Sequence, residues 1–511
     1  LTRARRAYRF EIGEKAIMDQ PIGGQPKRAV PSFSLTDGEK NVIIAGVLLA
    51  MLLAALDQTI VAPALPTMAA TLGHAEYLSW VVTAYLLTAT AVAPLYGKVS
   101  DIYGRRPVIF AAILIFLAGS VICALAPNML VLIAGRAVQG LGGGGLFALT
   151  QTVIGDLVPP LERARYAAWI SGTWAVASVA GPLLGGAFAE HLHWSLIFWI
   201  NLPLGLIAIG VVNKPLKKLA IAGTRHRIDG WGALLLIVAT SMLLLAINWG
   251  GNRYAWSDPQ IVGLLAGSGA LWFLFGLRLR MADEPLVSLE VLGNRVVLAG
   301  TVTMFLLQGG SIGLAVYLPV YMQATLGLSP GDTGLAMLGL LLGMTVGAGI
   351  SGRLVPRIKN YKRIAHIGLT CAVLSLFALA CIADRAHLLE VELATTIVGI
   401  GIGTIFPVST IAVQNAVEKK DLGIATGLLT FLRSLGGAVG VAALGAIALG
   451  NDLPLAGEGA MAADMAGPHG SFSIIFIAAG AMLAASLLTF AFMPQKPLRG
   501  YDAADAPIMP E

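Results

Sequence analysis

Residues 97–107 read GKVSDIYGRRP. This polar, charged stretch separates two long apolar runs, 78–98 and 107–126. A connection that short, between two runs each long enough to cross a bilayer, marks a helical hairpin in a membrane. The rest of the chain repeats the theme. Of its 511 residues 57% are hydrophobic and 12% charged, and the mean hydropathy is +0.79. A soluble chain of this length carries about a quarter charged residues. The composition therefore describes an all-α integral membrane protein that crosses many times.

Fourteen apolar runs have spanning length: 41–66, 78–98, 107–126, 129–150, 166–189, 196–213, 230–248, 260–279, 296–322, 333–354, 363–383, 389–412, 423–449 and 471–493. The 34 Lys and Arg residues check the count. With the N-terminus placed in the cytoplasm, 30 of them fall in the tails and the even-numbered loops. Arg253 and Arg385 fall outside, and Arg136 and Arg433 fall within spans. That asymmetry is the positive-inside signal, and one missed span would scramble it. Both termini are expected in the cytoplasm. The net charge of +6 is spread over many loops, so it speaks for orientation and against nucleic acid. The basic stretch LTRARRAYRF (1–10) reads as a cytoplasmic tail, with Met18 a plausible start and no signal peptide. Cys371 and Cys381 share one run about 15 Å apart, too far for a disulfide.

The runs fall into two related sets. LDQTIVAPALP (56–66) in run 1 is echoed by QGGSIGLAVYLP (308–319) in run 9. GKVSDIYGRRP has a degraded echo, GRLVPRIKNYKR (352–363), and GPLLGG (181–186) has one in LGGAVG (435–440). Two six-span repeats around a central site form a transporter architecture. The expected organisation is a tail (1–40), an N-terminal bundle (41–213), a linker with two extra spans (214–295), a C-terminal bundle (296–495) and a tail (496–511).

Buried charges come next. Asp57 lies roughly 13 Å below the outer end of run 1, and Arg136 roughly 10 Å below that of run 4. Either charge alone costs about 2.5–3.5 kcal/mol at mid-membrane, so the two are natural partners. They form either a static ion pair or a proton-coupling pair in which Asp57 takes and releases a proton while Arg136 tunes it. Arg433 in run 13 either meets Asp101 near the cytoplasmic face or lines a cavity. Gln308, Gln414 and Asn415 are polar candidates for a cavity wall or for gluing helices. In the opening stretch Gly97 and Gly104 permit close approach or positive φ, and Asp101 can accept from helix N-terminal amides. Arg105 and Arg106 hold the loop on the inner face, and Pro107 suits a first helical turn. Topology alone needs only the arginines. The glycines and Asp101 point to a packed latch, and the candidate latch comprises Gly97, Asp101, Gly104, Arg105 and Arg106. Gly181, Pro182, Gly185 and Gly186 form either a packing kink or a hinge and seal between the halves. GLGGGG (140–145) lies inside run 4 without a following Lys-Ser/Thr, so it reads as packing. His191 and His193 lack a third ligand nearby, and no metal site, cofactor or catalytic set is expected.

These motifs resemble the major facilitator superfamily. Gly97, Asp101, Gly104 and Arg105 match its helix-2/3 loop, LIAGRAVQGLGGG (132–144) its helix-4 motif with Arg136, Gln139 and Gly140, and GPLLGG its antiporter motif. LDQTIVAPALP, fourteen spans and FWINLPLG (198–205) make the chain similar to the fourteen-span drug:proton antiporters of the QacA/EmrB type. The resemblance covers roughly residues 40–495. It implies a major facilitator fold, two six-helix bundles plus two extra central helices, in a bacterial inner membrane. It further implies alternating access, proton uptake at Asp57, and export of hydrophobic, often cationic small molecules driven by the proton gradient. A periplasmic adaptor and outer-membrane channel are conceivable partners. The rivals are a same-fold exporter of a specific metabolite, lipid or siderophore, and a non-transporting membrane sensor. Two departures stand out: His193-Trp194-Ser195 where the family often has Trp-Arg-Trp, and Pro63, which is expected to sharpen a kink near Asp57. With no acid in the cores of runs 9, 10 and 13, lipophilic monovalent cations or neutral compounds are better expected than divalent cations.

Overall fold

The computed structural model describes residues 36–73, 77–217, 229–251, 254–328, 330–358, 360–451 and 472–498. The basic tail at 1–10, Met18 and Arg253 lie outside them. Among the described residues fourteen helices are long and apolar enough to cross a membrane. They are α1 (Asp37–Ile60), α2 (Leu78–Tyr103), α3 (Arg105–Ala124), α4 (Met129–Leu157), α5 (Pro160–His191), α6 (Asn201–Leu216, entered through the turn Leu196–Trp199) and α7 (Gly230–Trp249). Then follow α8 (Pro259–Met281), α9 (Arg295–Leu326), α10 (Leu338–Leu354), α11 (Lys362–Ile382), α12 (Leu388–Ala416), α13 (Leu422–Leu449) and α14 (Ser473–Phe492). Every predicted run has its helix, and the differences lie at the ends. α1 begins at Asp37, ahead of the apolar run, because Thr36 and Glu39 form a capping box. It ends at Ile60, before the 3₁₀ turn Ala62–Ala64, so Pro63 follows the end of the helix instead of kinking it.

One apolar core is drawn from α1–α6 and another mainly from α9–α14. The same glycine spacing builds both. On α4, a Cβ at Gly140 would lie 2.4 Å from the Tyr85 carbonyl, at Gly144 2.1 Å from that of Ala89, and at Gly142 2.5 Å from that of Ala112. On α12, a Cβ at Gly399 would lie 2.2 Å from the Leu340 carbonyl, at Gly403 2.1 Å from that of Met344, and at Gly401 2.3 Å from that of Gly368. In each half the central helix thus touches one neighbour at i and i+4 and another at i+2, backbone to backbone. This is the small-residue packing that replaces hydrophobic drive in lipid. GLGGGG is therefore packing, as expected.

The glycines of GPLLGG follow a second repeated pattern. A Cβ at Gly185 would lie 2.1 Å from the Ile60 carbonyl on α1, and at Gly440 2.2 Å from the Gly309 carbonyl on α9. Gly181 meets Thr59 and Gly436 meets the Phe305 carbonyl. The hinge-and-seal expectation is corrected to this extent: Gly181 and Gly185 close onto α1 of their own half. A Cβ on Gly186 would meet nothing within 4 Å, and Pro182 is exposed.

The two sets meet along α2 with α13 and α5 with α10. The extra helices attach to the side of this frame. α7 packs against both α2 and α13. Trp80 and Trp249 stack edge to face at 5.5 Å. α8 lies against α7 through Ser268, whose hydroxyl donates to the Ala239 carbonyl at 2.8 Å, and through the Arg278–Asp229 ion pair at 3.0 Å.

Candidate functional site

Asp57 has no solvent exposure, and four side chains enclose its carboxylate. Arg136 Nη1 donates to Oδ2. Gln139 Nε2 donates to Oδ1 at 2.6 Å, and Asn201 Nδ2 donates to the same atom at 3.1 Å. Ser120 Oγ lies behind, accepting from Gln139 at 2.8 Å and from Asn201 at 3.2 Å. Arg136 is itself held three more ways. Its Nε donates to the Val81 carbonyl at 3.0 Å, its Nη1 to Gln139 Oε1 at 2.6 Å, and its guanidinium lies 4.4 Å from the centre of the Tyr85 ring. The Asp57–Arg136 pairing expected from matched depth is present. Gln139, expected in a cavity or coupling role, belongs to this cluster. Asn201 was part of FWINLPLG and carried no role in the sequence reading. Its signal was an amide at the start of an apolar helix, at the depth of Asp57.

The opening stretch bridges the two halves. Asp101, near the end of α2, accepts from the backbone amides of Gly423 and Ile424 at 3.2 and 3.1 Å, the first turn of α13. Gly97 makes this possible, since a Cβ there would sit 2.2 Å from the Gly423 carbonyl. Gly104 ends α2 with φ +88°, a conformation that favours glycine. Arg105 is 1% exposed and pairs with Asp101 at 2.6 Å and Asp156 at 2.7 Å. It is thus a buried cross-link within the candidate latch, joining the ends of α2 and α4. Arg106 donates to Asn213 at 2.7 Å and lies over Phe110. Pro107 stands in the first turn of α3, as expected. Asp156, which sequence reasoning passed over, ends α4 twenty residues after Arg136. In the degraded echo, Lys362 donates to the Met493 carbonyl at 2.5 Å, capping the end of α14 within its own half.

A cavity of about 720 Å³ lies between the halves. Its basic-face floor is tied across the halves by Gln414 of α12. Gln414 Nε2 donates to the Gln151 carbonyl at 3.3 Å, and its Oε1 accepts from Arg163 at 3.3 Å. From this floor the cavity reaches Trp256 in the connection that follows α7 on the other side. Phe147, Trp174, Phe406 and Tyr317 supply an aromatic lining. Gln58 lines it but its neighbour Asp57 does not, so the buried acid stands one residue behind the wall. Gln308, Gln414 and Arg433 all line the cavity. Arg433 therefore takes the cavity position and not a pairing with Asp101, whose carboxylate is already filled by α13 amides and Arg105. Asn415 lies elsewhere, donating to the Pro497 carbonyl at 2.9 Å. His191 and His193 are exposed, and His193 Nδ1 lies 2.8 Å from Ser195 Oγ.

The chain matches the family model of the Major Facilitator Superfamily over residues 47–441. It is 34% identical to the multidrug transporter protein MdtP of Bacillus subtilis (strain 168), covering 80% of this chain and 75% of that one. It is 31% identical to multidrug resistance protein 3 of the same organism, covering 79% of each. With the efflux pump FUS6 of Gibberella moniliformis (strain M3125 / FGSC 7600) it shares 33% identity over 83% of this chain and 77% of that one. Two solved structures share the fold. The human organic anion transporter MFSD10 has a TM-score of 0.61 at 18% identity, covering 88% of this chain and 99% of its own. The proton:xylose symporter XylE has 0.58 at 14%, covering 91% and 98%. Bundle cores, central cavity and relatives agree, and the chain belongs to the major facilitator superfamily, on its fourteen-span multidrug-efflux branch.

Proposed function

We propose that the protein is a proton-coupled exporter of hydrophobic small molecules, working by alternating access, with Asp57 as the proton carrier. The observation that carries this is a fully buried carboxylate, held by Arg136, Gln139 and Asn201, one residue behind the wall of the inter-half cavity. Protonating Asp57 removes the charge that Arg136 of α4 holds on α1. Arg136 keeps the Val81 carbonyl, Gln139 Oε1 and the Tyr85 ring, all on α2 and α4. Relaxing the tie moves α1 relative to α4, and Gln58 carries the movement into the cavity wall. The latch and the Gln414 floor close the basic face in this state. With that face in the cytoplasm, the state is the outward-facing one, in which a proton enters and substrate leaves.

The test uses purified protein in vesicles with an imposed pH gradient. Asp57→Asn preserves side-chain shape, so the variant should fold and bind substrate but fail to pump uphill. Uphill transport by the Asn variant overturns the proton assignment. A second reading is favoured by the same burial: three donors around an acid with no exposure also describe a static packing pair. On that reading Asp57→Asn lowers the unfolding temperature while the folded fraction still pumps uphill, the outcome that overturns the proton assignment. A non-transporting sensor would show no flux in either form.

A further inference from the structure

The cavity has an uneven charge. Arg433 stands twelfth in α13, roughly 17 Å along the helix and near mid-membrane. Its described contact is the ring of Phe406, 5.8 Å from the guanidinium carbon. Among the described residues no carboxylate and no hydrogen-bond acceptor partners it. Among the described residues no Asp or Glu lines the cavity, whereas Arg163 does, at its floor. A second polar group stands beside Arg433. Gly437 is one turn along the same face of α13, and a Cβ there would lie 3.4 Å from Gln308 Cγ. The Gln308 Oε1 atom is buried without a partner. The C-terminal wall thus offers an unpaired guanidinium next to an amide whose buried oxygen has no donor. Around them lie Phe406, Tyr317, Phe147 and Trp174.

An unpaired cation in a membrane interior faces a polar cavity or pathway, where an opposite charge completes it. A planar guanidinium recognises a carboxylate with two parallel hydrogen bonds, and the neighbouring amide can donate to the same headgroup through its Nε2. We propose that the cavity takes amphipathic organic anions, with the carboxylate or a like acidic group on Arg433 and Gln308 and the apolar body among the aromatic rings. This reverses the expectation of cationic cargo. A cation would enter a space that already holds a positive charge and has no described acid to receive it. The proposal rests on the reading above that the central cavity is the transport site, but not on Asp57 carrying the proton.

The test is equilibrium binding without a gradient, so its outcome is separate from that of proton coupling. Full-length protein in phosphatidylcholine nanodiscs is titrated with 1-pyrenebutyrate, its methyl ester and pyrenebutyl-trimethylammonium, against empty discs. Tryptophan quenching is the signal. The carboxylate should bind saturably and about tenfold or more tighter than either analogue, the range of one hydrogen bond to a charged group. Arg433→Gln should remove that preference by weakening carboxylate binding far more than ester binding, and Arg433→Lys should retain part of it. No saturable carboxylate binding, tightest binding of the ammonium analogue, or an unchanged preference in Arg433→Gln overturns the proposal. Should Arg433→Gln fail to fold, the three-ligand comparison on the unaltered protein decides alone.

Discussion

Replacing Asp101 by Ala should shift the protein out of the state described here without unfolding it. The Asp101 carboxylate accepts two amides from α13, at 3.2 and 3.1 Å, across the interface between the halves. A net hydrogen bond to a charged group contributes about 1.5–3 kcal/mol. The two bonds share one carboxylate, and in the alternative state water satisfies all three groups, so the latch is assigned about 2 kcal/mol, not the sum. At about 1.4 kcal/mol per factor of ten, Asp101→Ala moves the equilibrium about 30-fold toward the state open on the basic face. Arg105 keeps Asp156 at 2.7 Å and Ser100 at 2.5 Å, so no buried charge is left without a partner. The assay is a distance distribution between spin labels at exposed Tyr103 and Arg357, on opposite halves, with Cys123, Cys371 and Cys381 replaced by Ala. The wild-type background should give a narrow short distance and Asp101→Ala a second, longer population. Asp101→Asn keeps an acceptor without its charge and should fall between them. Identical distributions in all three proteins would refute the latch and leave GKVSDIYGRRP a topology anchor.

Arg105→Met should be harsher than Asp101→Ala, because it strands Asp101 and Asp156 together. Breaking a buried pair costs about 3–5 kcal/mol, read as a lower unfolding temperature in detergent. Asn201→Leu removes one donor to Asp57 and one to Ser120, for about 1–3 kcal/mol of stability. It should also alter the pH profile of uphill transport, and an unchanged profile would make Asn201 a packing residue only. Gly144→Ala brings a Cβ to 2.1 Å from the Ala89 carbonyl. Backbone cannot yield as a side chain can, so a loss of at least about 1–3 kcal/mol should appear as poor recovery of folded protein. The same change at Gly186, where a Cβ meets nothing within 4 Å, should be silent by the same measure.

The crossing count and the likeness of the halves were legible without a structure. Each rests on one-dimensional physics: span length is set by bilayer thickness, and basic residues by the side on which they stay. The Asp57–Arg136 pairing was legible too, because depth follows from residue count along a helix. What rotates about a helix axis was not. Gln139 and Gln308 look alike in sequence, yet one faces a buried carboxylate and the other a cavity. Asn201 joined Asp57 only when α6 came to lie beside α1. The glycines of GPLLGG read equally as a packing kink or as a seam between halves, and only packing turned Gly181 and Gly185 onto α1. Arg105 belonged to the latch on sequence, but its second partner was not legible because Asp156 is 51 residues away. Residue type and position along the chain settled how deep each group lies. The tertiary structure alone decided which neighbour it faces, because facing depends on how helices distant in sequence turn toward one another.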